Sequence, residues 1–457
     1  MHGMSDASIH RLGQSVLGYA EGRLKLHPVP LDYTLTPEQL LDRAGQTITA
    51  EGLGGQRAMS LFEEVLAPAC LSVDHPRYLS FIPCAPSDAA TMFDLVVSAS
   101  SMYAGSWLEG SGAVFAENQA LRWIADLAGL PESAGGVFVP GGTIGNLSAL
   151  VAARHSARER ATVAAAKGER PHRPWRVAAT EGAHSSIKSA CDVMDAELVT
   201  VPPSEELRLT GSALREVIER EGPETFFAVV ATCGTTNFGV IDELAEVADV
   251  CAEHGIWFHV DGAYGGAALA APSVRERFAG VERADSFIVD PHKWLFAPFD
   301  CCALLYRDPA RARAAHTQKA SYLDVLTDTP DWNPTDYSVG LTRRARGLPL
   351  WFSLATHGTD AYATAIERTL EVAAYAERRV RESEHLELVA HRDLSVVVFR
   401  RLGWEAGDYQ AWSDRLLADE VAFVVPTSHA GETLARFAIV NPQTTEEDID
   451  EILATMA

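Results

Sequence analysis

Between Phe138 and Tyr306, short apolar runs alternate with amphipathic stretches, and this alternation constrains the fold more than any other feature. The runs are Phe226–Thr232, Ile256–Val260, Phe287–Val289 and Ala303–Tyr306, with the helix-spaced stretch Glu243–His254 between the first two. Strands separated by helices build βαβ units, so an α/β fold with a mainly parallel sheet is expected. Open sheets of this kind bind ligands at the carboxyl ends of their strands, so chemistry is to be sought in the following loops.

At 457 residues the chain exceeds one ordinary domain. Residues 1–75 read as a helical segment, with Thr36-Pro37-Glu38 as a helix start before Leu40, Leu41 and Ala44. That segment has too few apolar positions for its own core, and is expected to pack on another surface, a partner subunit. Residues 76–350 form the expected large domain, in which the polar stretch Arg154–Arg173 reads as a helix running into a loop. Residues 351–457 are expected as a small α+β domain. It has a long helix, Asp360–Glu384, with Ala363, Ile366, Leu370, Ala373 and Ala374 at helical spacing, and two strands, Ser395–Arg400 and Ala435–Val440.

The formal charge of −24, from 38 basic and 62 acidic residues, argues against an extended phosphate-binding surface, so no nucleic-acid partner is expected. No apolar run approaches the ~20 residues that span a bilayer, so no membrane partner is expected either. The polar start Met1–His10 lacks a basic, apolar secretion signal. Seven scattered cysteines without a Cys-x-x-Cys pair suggest neither a disulfide framework nor zinc. A soluble cytoplasmic enzyme is the expectation.

Three loops carry chemistry. Pro140-Gly141-Gly142-Thr143-Ile144-Gly145-Asn146 leads into a helix, where glycines admit a ligand to the backbone and free N–H groups favour an anion. The competing reading is a plain glycine-rich turn. His259-Val260-Asp261-Gly262-Ala263-Tyr264 places Asp261 at a strand end, with His259 on the same strand face; loop capping is the competing reading. Asp290-Pro291-His292-Lys293-Trp294 follows the run Phe287–Val289. Of five lysines (Lys25, Lys167, Lys188, Lys293 and Lys319), only Lys293 lies in an apolar, aromatic segment at a strand end. An amine desolvated there titrates below its ordinary ~10.4 and becomes a nucleophile for a carbonyl. The competing reading pairs it with a carboxylate such as Asp290. A phosphate cradle, a strand-end Asp and a desolvated Lys together are the parts that pyridoxal 5'-phosphate requires: the Lys for covalent attachment, the Asp to keep the pyridine nitrogen protonated, and the helix start for the phosphate.

The ordered set of motifs resembles the group II pyridoxal phosphate-dependent amino acid decarboxylases, the family of aromatic L-amino acid, histidine and glutamate decarboxylases. It comprises Ala183-His184-Ser185-Ser186, Ala231-Thr232-Cys233-Gly234-Thr235-Thr236, the Asp261 loop, Pro291-His292-Lys293-Trp294 with Phe299-Asp300-Cys301, and Arg343-Arg344. The resemblance implies a fold-type I homodimer with its N-terminal segment wrapped over the partner. It implies His184 stacked on the cofactor ring, where the residues alone suggest a helix cap. It implies Thr236 near the ring hydroxyl or the aspartate, Ala263 beneath the ring and His292 beside the covalent linkage. It also implies a loop tyrosine that protonates the carbanion, with Tyr337 the first candidate and Tyr322 the alternative.

The chain departs from that family at several positions. Asp290 stands where Asn is frequent, and a carboxylate near a phosphate is repulsive unless turned away or hydrogen-bonded. Gly142 and Thr143 belong to a loop with fewer hydroxyls. Phe81-Ile82-Pro83-Cys84 resembles an aromatic-Pro motif with one aromatic lost, and Gly105 replaces a bulky residue, changes expected to enlarge a substrate pocket walled by Phe81, Ile82, Trp107 and Tyr264. The expected reaction is decarboxylation of an L-amino acid, an aromatic one, to its amine. The alternatives are an aldehyde synthase, a decarboxylase of acidic or aliphatic amino acids, a silent cofactor-binding scaffold and, least supported, a metal hydrolase on His259 and Asp261. Arg343 and Arg344 are read as fold or loop anchors before carboxylate ligands.

Overall fold

The computed structural model describes residues 5–166, 175–318 and 331–457. Seven strands form the main sheet: β1 (Gly135–Val139), β2 (Arg176–Thr180), β3 (Glu197–Val201), β4 (Phe226–Thr232), β5 (Trp257–Asp261), β6 (Ser286–Val289) and β7 (Cys302–Tyr306). Their order is β1-β7-β6-β5-β4-β2-β3. Strands β4, β5 and β6 are buried at every position, as continuous apolar runs covered on both faces must be. The sheet is parallel from β6 through β5, β4 and β2 to β3, while β7 runs antiparallel to both β6 and β1. The apolar pattern gave no direction for β7. Residues 290–301 hold only the one-turn helix Pro291–Trp294, too short a link for a crossover, so the chain turns back on itself.

Four strands make a second sheet, ordered β10-β11-β9-β8 from β8 (Leu386–Leu388), β9 (Val396–Arg401), β10 (Thr427–His429) and β11 (Glu432–Ala438). Two of these were expected. The three-residue strands β8 and β10 are too short to show a two-residue alternation. The helix Thr359–Glu382 lies against this sheet through Val372, Ala373, Ala376 and Val380. The second sheet also reaches the main core, where Val396, Leu434 and Ala438 join the cluster of Phe258, Tyr264 and Trp294. Asp393, just before β9, accepts from Arg208 (2.8 Å), Arg277 (2.7 Å) and the Ile241 N–H (2.9 Å), fastening the two sheets together.

Thr36 caps the helix Pro37–Ala44 with a reciprocal bond to Gln39, as its sequence implies. Neither that helix nor Asp6–Leu24 buries a residue. Arg343 lies buried and makes a two-pronged pair with Glu117 (2.8 and 3.2 Å) while donating to Phe138 O, and Arg344 binds Asp94 at 2.7 Å. Both arginines anchor the fold. No helix among the described residues is long and apolar enough to cross a membrane.

Candidate active site

Neighbouring strands bring the predicted loops together. Asp261 ends β5 and Lys293 follows β6, and the loops after them are tied by Gly262 N–H to Ile288 O and Asp290 N–H to Ala263 O, each 3.0 Å. The turn after β1 starts the helix Gly142–Ala166, and the turn after β2 delivers His184 as the cap of Ser185–Met194. Together they enclose a cleft of about 220 Å³, lined by Gly142, Thr143, His184, Asp261, His292 and Lys293 among others. Thr236 and Ala263 line it too.

Asp261 is buried, with Oδ1 accepting from the Ala263 N–H (3.0 Å) and Oδ2 from Asn146 Nδ2 (2.9 Å). His259, two residues earlier, is fully buried between Asn146 Oδ1 and Ser286 Oγ, each 2.8 Å away. Burial drives its pKa down against the opposing pull of Asp261. With both ring nitrogens engaged, His259 has no nitrogen for a metal. His184 caps the helix, its Nδ1 accepting from the Ser186 N–H (3.2 Å), and the residue is exposed and lines the cleft.

Lys293 departs from expectation. Burial by itself would lower its pKa, but the charge and hydrogen bond of Asp290, with Asp261 farther off, raise it above the ordinary value. Nζ stands 2.9 Å from Asp290 Oδ2, so the ammonium is paired as well as desolvated. Asp290→Asn is therefore expected to lower the Lys293 pKa and shift the pH midpoint for capture of an aldehyde to lower pH. Stopped-flow mixing of cofactor-stripped protein with pyridoxal phosphate across pH checks this; an unmoved midpoint would show that Asp290 does not control the amine.

The substrate-wall residues scatter. Tyr264 lines the cleft, but its hydroxyl lies 2.6 Å from Ser395 Oγ and its ring stacks on Trp294 at 5.2 Å, which makes it a fixed wall. Trp107 opens a helix whose first N–H donates to Asn333, and it does not line the cleft. The space at Gly105 is filled: a Cβ there would meet the Tyr103 hydroxyl at 2.2 Å, so the missing bulky residue leaves no enlarged pocket. Phe81 is 60% exposed at φ 53°, and Ile82 packs against the main core. Tyr337 is 3% exposed, stacked on Trp332 at 4.2 Å in the core that the Gly142–Ala166 helix makes with β1 and β7. Burial pushes its pKa up to about 12. A tyrosine held in that core cannot deliver a proton to the cleft, so Tyr337 is withdrawn as the loop acid. Tyr322 lies outside the described residues.

The profile described as the pyridoxal-dependent decarboxylase conserved domain matches residues 37–402. The chain belongs to this family. The enzyme is a pyridoxal phosphate-dependent amino acid decarboxylase. It is 28% identical over 438 residues to the aromatic-L-amino-acid decarboxylase of Bacillus atrophaeus, covering 93% of this chain and 89% of that one. It is 31% identical over 395 residues to the L-2,4-diaminobutyrate decarboxylase of Rhizobium meliloti (strain 1021), covering 83% and 77%. Among solved structures it resembles Oryza sativa TDC with PLP and tryptamine, with TM-score 0.87, 27% identity and coverage of 98% and 97%. The fold is accordingly fold-type I.

The decarboxylase's cleft fits its cofactor. Gly141 takes φ 82°, a glycine conformation, and a Cβ on Gly142 would stand 3.3 Å from Ala263 Cβ and 3.2 Å from Asp290 Oδ2. The Gly142 and Thr143 N–H groups sit in the first helical turn, ahead of the bonds from Ile144 and Gly145 to Gly141 O. Among the described residues, buried Asp290 Oδ1 and Thr232 Oγ1 find no hydrogen-bond partner, which is rare in a finished core. Sequence reasoning missed two residues here. Asn146 was noted only as the end of a glycine-rich loop, yet its place in the first turn behind that loop already put it against the sheet. Arg436 sits within an apolar strand run. It donates to Phe81 O (2.8 Å), Asn237 O (3.1 Å) and Thr236 O, joining β11 to the mouth of the cleft, and burial pushes its pKa down to about 10.

Proposed function

We propose that this decarboxylase converts an aromatic L-amino acid to its amine and carbon dioxide. The observation that carries the substrate class is charge: among the described residues, Lys293 is the only Lys or Arg lining the cleft, and Asp290 already pairs with it. Arg436, a buried cation bonded to the cleft residue Thr236, spends its donors on three carbonyls. An acidic substrate side chain therefore finds no free cation in this chain's cleft. Phe81, exposed and with its carbonyl on the same Arg436 that holds the cleft residue Thr236, and Phe299, tilted 5.1 Å from the His292 ring, offer apolar surface instead.

In this reading Lys293 would hold the cofactor covalently, Asp261 would serve its pyridine nitrogen, and His184 and Ala263 would hold its ring. The N–H groups of Gly142 and Thr143 and the Thr143 hydroxyl hold the phosphate. Thr236 and His292, which line the same cleft, would help hold the ring. Bound pyridoxal phosphate supplies the electron sink for the bonding pair left when the carboxylate departs. Asp290 takes the Lys293 ammonium whenever the lysine is not engaged, which keeps a desolvated charge paired. The proposed role of Phe81 is to wall the substrate side chain, with Tyr264 a fixed wall of the cleft; Ile82, packed against the main core, and Trp107 have no part in it.

Two further elements belong to the proposal. A homodimer is supported by exposed apolar side chains along the N-terminal segment, including Ile9, Leu17, Leu41 and Ile48, and along the nearby helices at Met92, Leu95 and Phe115. A cytoplasmic location is supported by seven cysteines, none of them in a disulfide.

Steady-state kinetics with aromatic, aliphatic and acidic L-amino acids tests the substrate class. Aromatic substrates are expected to have the highest kcat/KM. Phe81→Ala is expected to lower that value about tenfold, since an aromatic contact of this kind contributes ~1–2 kcal/mol. Glutamate or aspartate outperforming the aromatic substrates would overturn the assignment.

A further inference from the structure

We infer that Asn146 is a positioning residue that holds Asp261 and His184 in one hydrogen-bond assignment, with Asp261 purely an acceptor and His184 the Nε2–H tautomer. The inference rests on the proposed roles of those two residues at the cofactor ring and adds the group that couples them.

The assignment follows from which atoms can donate. An ionised carboxylate only accepts, so the Asn146 atom 2.9 Å from Asp261 Oδ2 is the amide nitrogen. Asn146 Oδ1 then faces His259 and must accept from Nε2–H at 2.8 Å. His259 Nδ1 is left unprotonated and accepts from the Ser286 hydroxyl at 2.8 Å. Ser286 Oγ in turn accepts from the Trp257 indole N–H at 2.8 Å, and an indole N–H can only donate. With an obligate donor at one end and an obligate acceptor at the other, every proton between them has one place.

The second proton of the Asn146 amide forms a branch. It goes to Ser186 Oγ at 2.9 Å, which frees the Ser186 hydroxyl to donate to His184 Nδ1, also 2.9 Å away. His184 Nδ1 accepts from the Ser186 N–H as well, so it carries no proton and Nε2 does. Trp257, Ser286, His259, Asn146, Asp261 and Ser186 are all at most 4% exposed, so water does not compete for the bonds among these six; His184 alone meets solvent. One amide thereby fixes the carboxylate proposed for the ring nitrogen and the protonation of the histidine proposed for the ring face.

The test compares Asn146→Asp with Asn146→Ala. Asp keeps the size of Asn but removes both amide protons and sets two carboxylates against each other. Ala loses more packing and introduces no charge. A positioning role makes the isosteric Asp variant the worse of the two. It is expected to lose about a hundredfold in kcat, against about tenfold for Ala, since charge-assisted hydrogen bonds outweigh neutral ones. KM should change little in either. In the holoenzyme the visible absorption of the bound cofactor should vary with pH in Asn146→Asp across a range where the parent is constant, because the two facing carboxylates share a titrating proton. Ser186→Ala should leave that spectrum unchanged while lowering kcat, because it cuts only the histidine branch.

An Ala variant worse than the Asp variant, with pH-independent spectra in both, would show that Asn146 only fills space. Asp261→Ala run alongside separates the two levels of the argument. If Asp261→Ala collapses while Asn146→Asp stays native, the Asn146 assignment alone is wrong. If Asp261→Ala also keeps native turnover and spectra, the cofactor roles are wrong and the Asn146 inference falls with them.

Discussion

Lys293→Ala protein is expected to fold, to retain pyridoxal phosphate without a covalent bond, and to lose at least about a thousandfold in turnover, ~4 kcal/mol of transition-state stabilisation. Folding should survive because Lys293 belongs to a one-turn helix whose buried members are Pro291, His292 and Trp294, and Trp294 is held independently by its bond to Thr369 Oγ1 (3.0 Å). Cofactor should be retained because the helix start at Gly142, Asp261 and His184 are untouched. The parent should show a visible absorption band that borohydride removes, and peptide mapping should place the reduced cofactor on Lys293. Reduction onto Lys25 or Lys188 would overturn the assignment. Both sit on helical surfaces in i,i+4 pairs with Glu21 and Asp192, where an ammonium is solvated and unreactive.

Asp261→Ala should be nearly as damaging, by a different route. The carboxylate is 3% exposed and braced from both sides by the Ala263 N–H and the Asn146 amide, so its position is set before any ligand arrives. In the role proposed for it at the ring nitrogen, losing the carboxylate removes the partner of that nitrogen, and a loss of about a hundredfold to a thousandfold in kcat is expected. Asp261→Asn should keep the shape and still lose most of the rate. Circular dichroism and thermal melting of each variant separate this from misfolding. Near-native turnover in Asp261→Ala would reduce the residue to a cap of the loop after β5.

Which of these features could be read from the chain follows physical lines. The strands β4, β5 and β6 announced themselves because a strand buried on both faces must be apolar at every position, and Asp261 and Lys293 stood out as charges where those runs stop. His184 reads from its residues alone as a cap before Ser-Ser, which it is; its proposed place at the cofactor comes from the resemblance. The Asp290 partner of Lys293 was weighed as an alternative and proved to be the arrangement present, because a position three residues earlier across a single helical turn brings the two side chains together. Tyr337 failed as a proton donor because sequence cannot tell a loop tyrosine facing solvent from one stacked under a tryptophan 4.2 Å away. Gly105 failed likewise: Tyr103, two residues back, covers the gap its missing side chain would leave. Asn146 and Arg436 act through contacts between residues more than a hundred positions apart, and one sequence carries no sign of such pairings.

Arg436 has a bearing on redesign. Its guanidinium stands on β11, yet its three acceptors are the backbone carbonyls of Phe81, Thr236 and Asn237, so the rim of the cleft is pinned by a residue from the second sheet. Phe81 holds its left-handed backbone with its carbonyl gripped from that side. If Phe81 walls the substrate as proposed, that wall is not a portable loop. A graft that moves residues 81–84 into a relative without the matching strand and its arginine moves the side chains and leaves behind the clamp that shapes them. The proposed substrate wall is thus held by three distant segments at once.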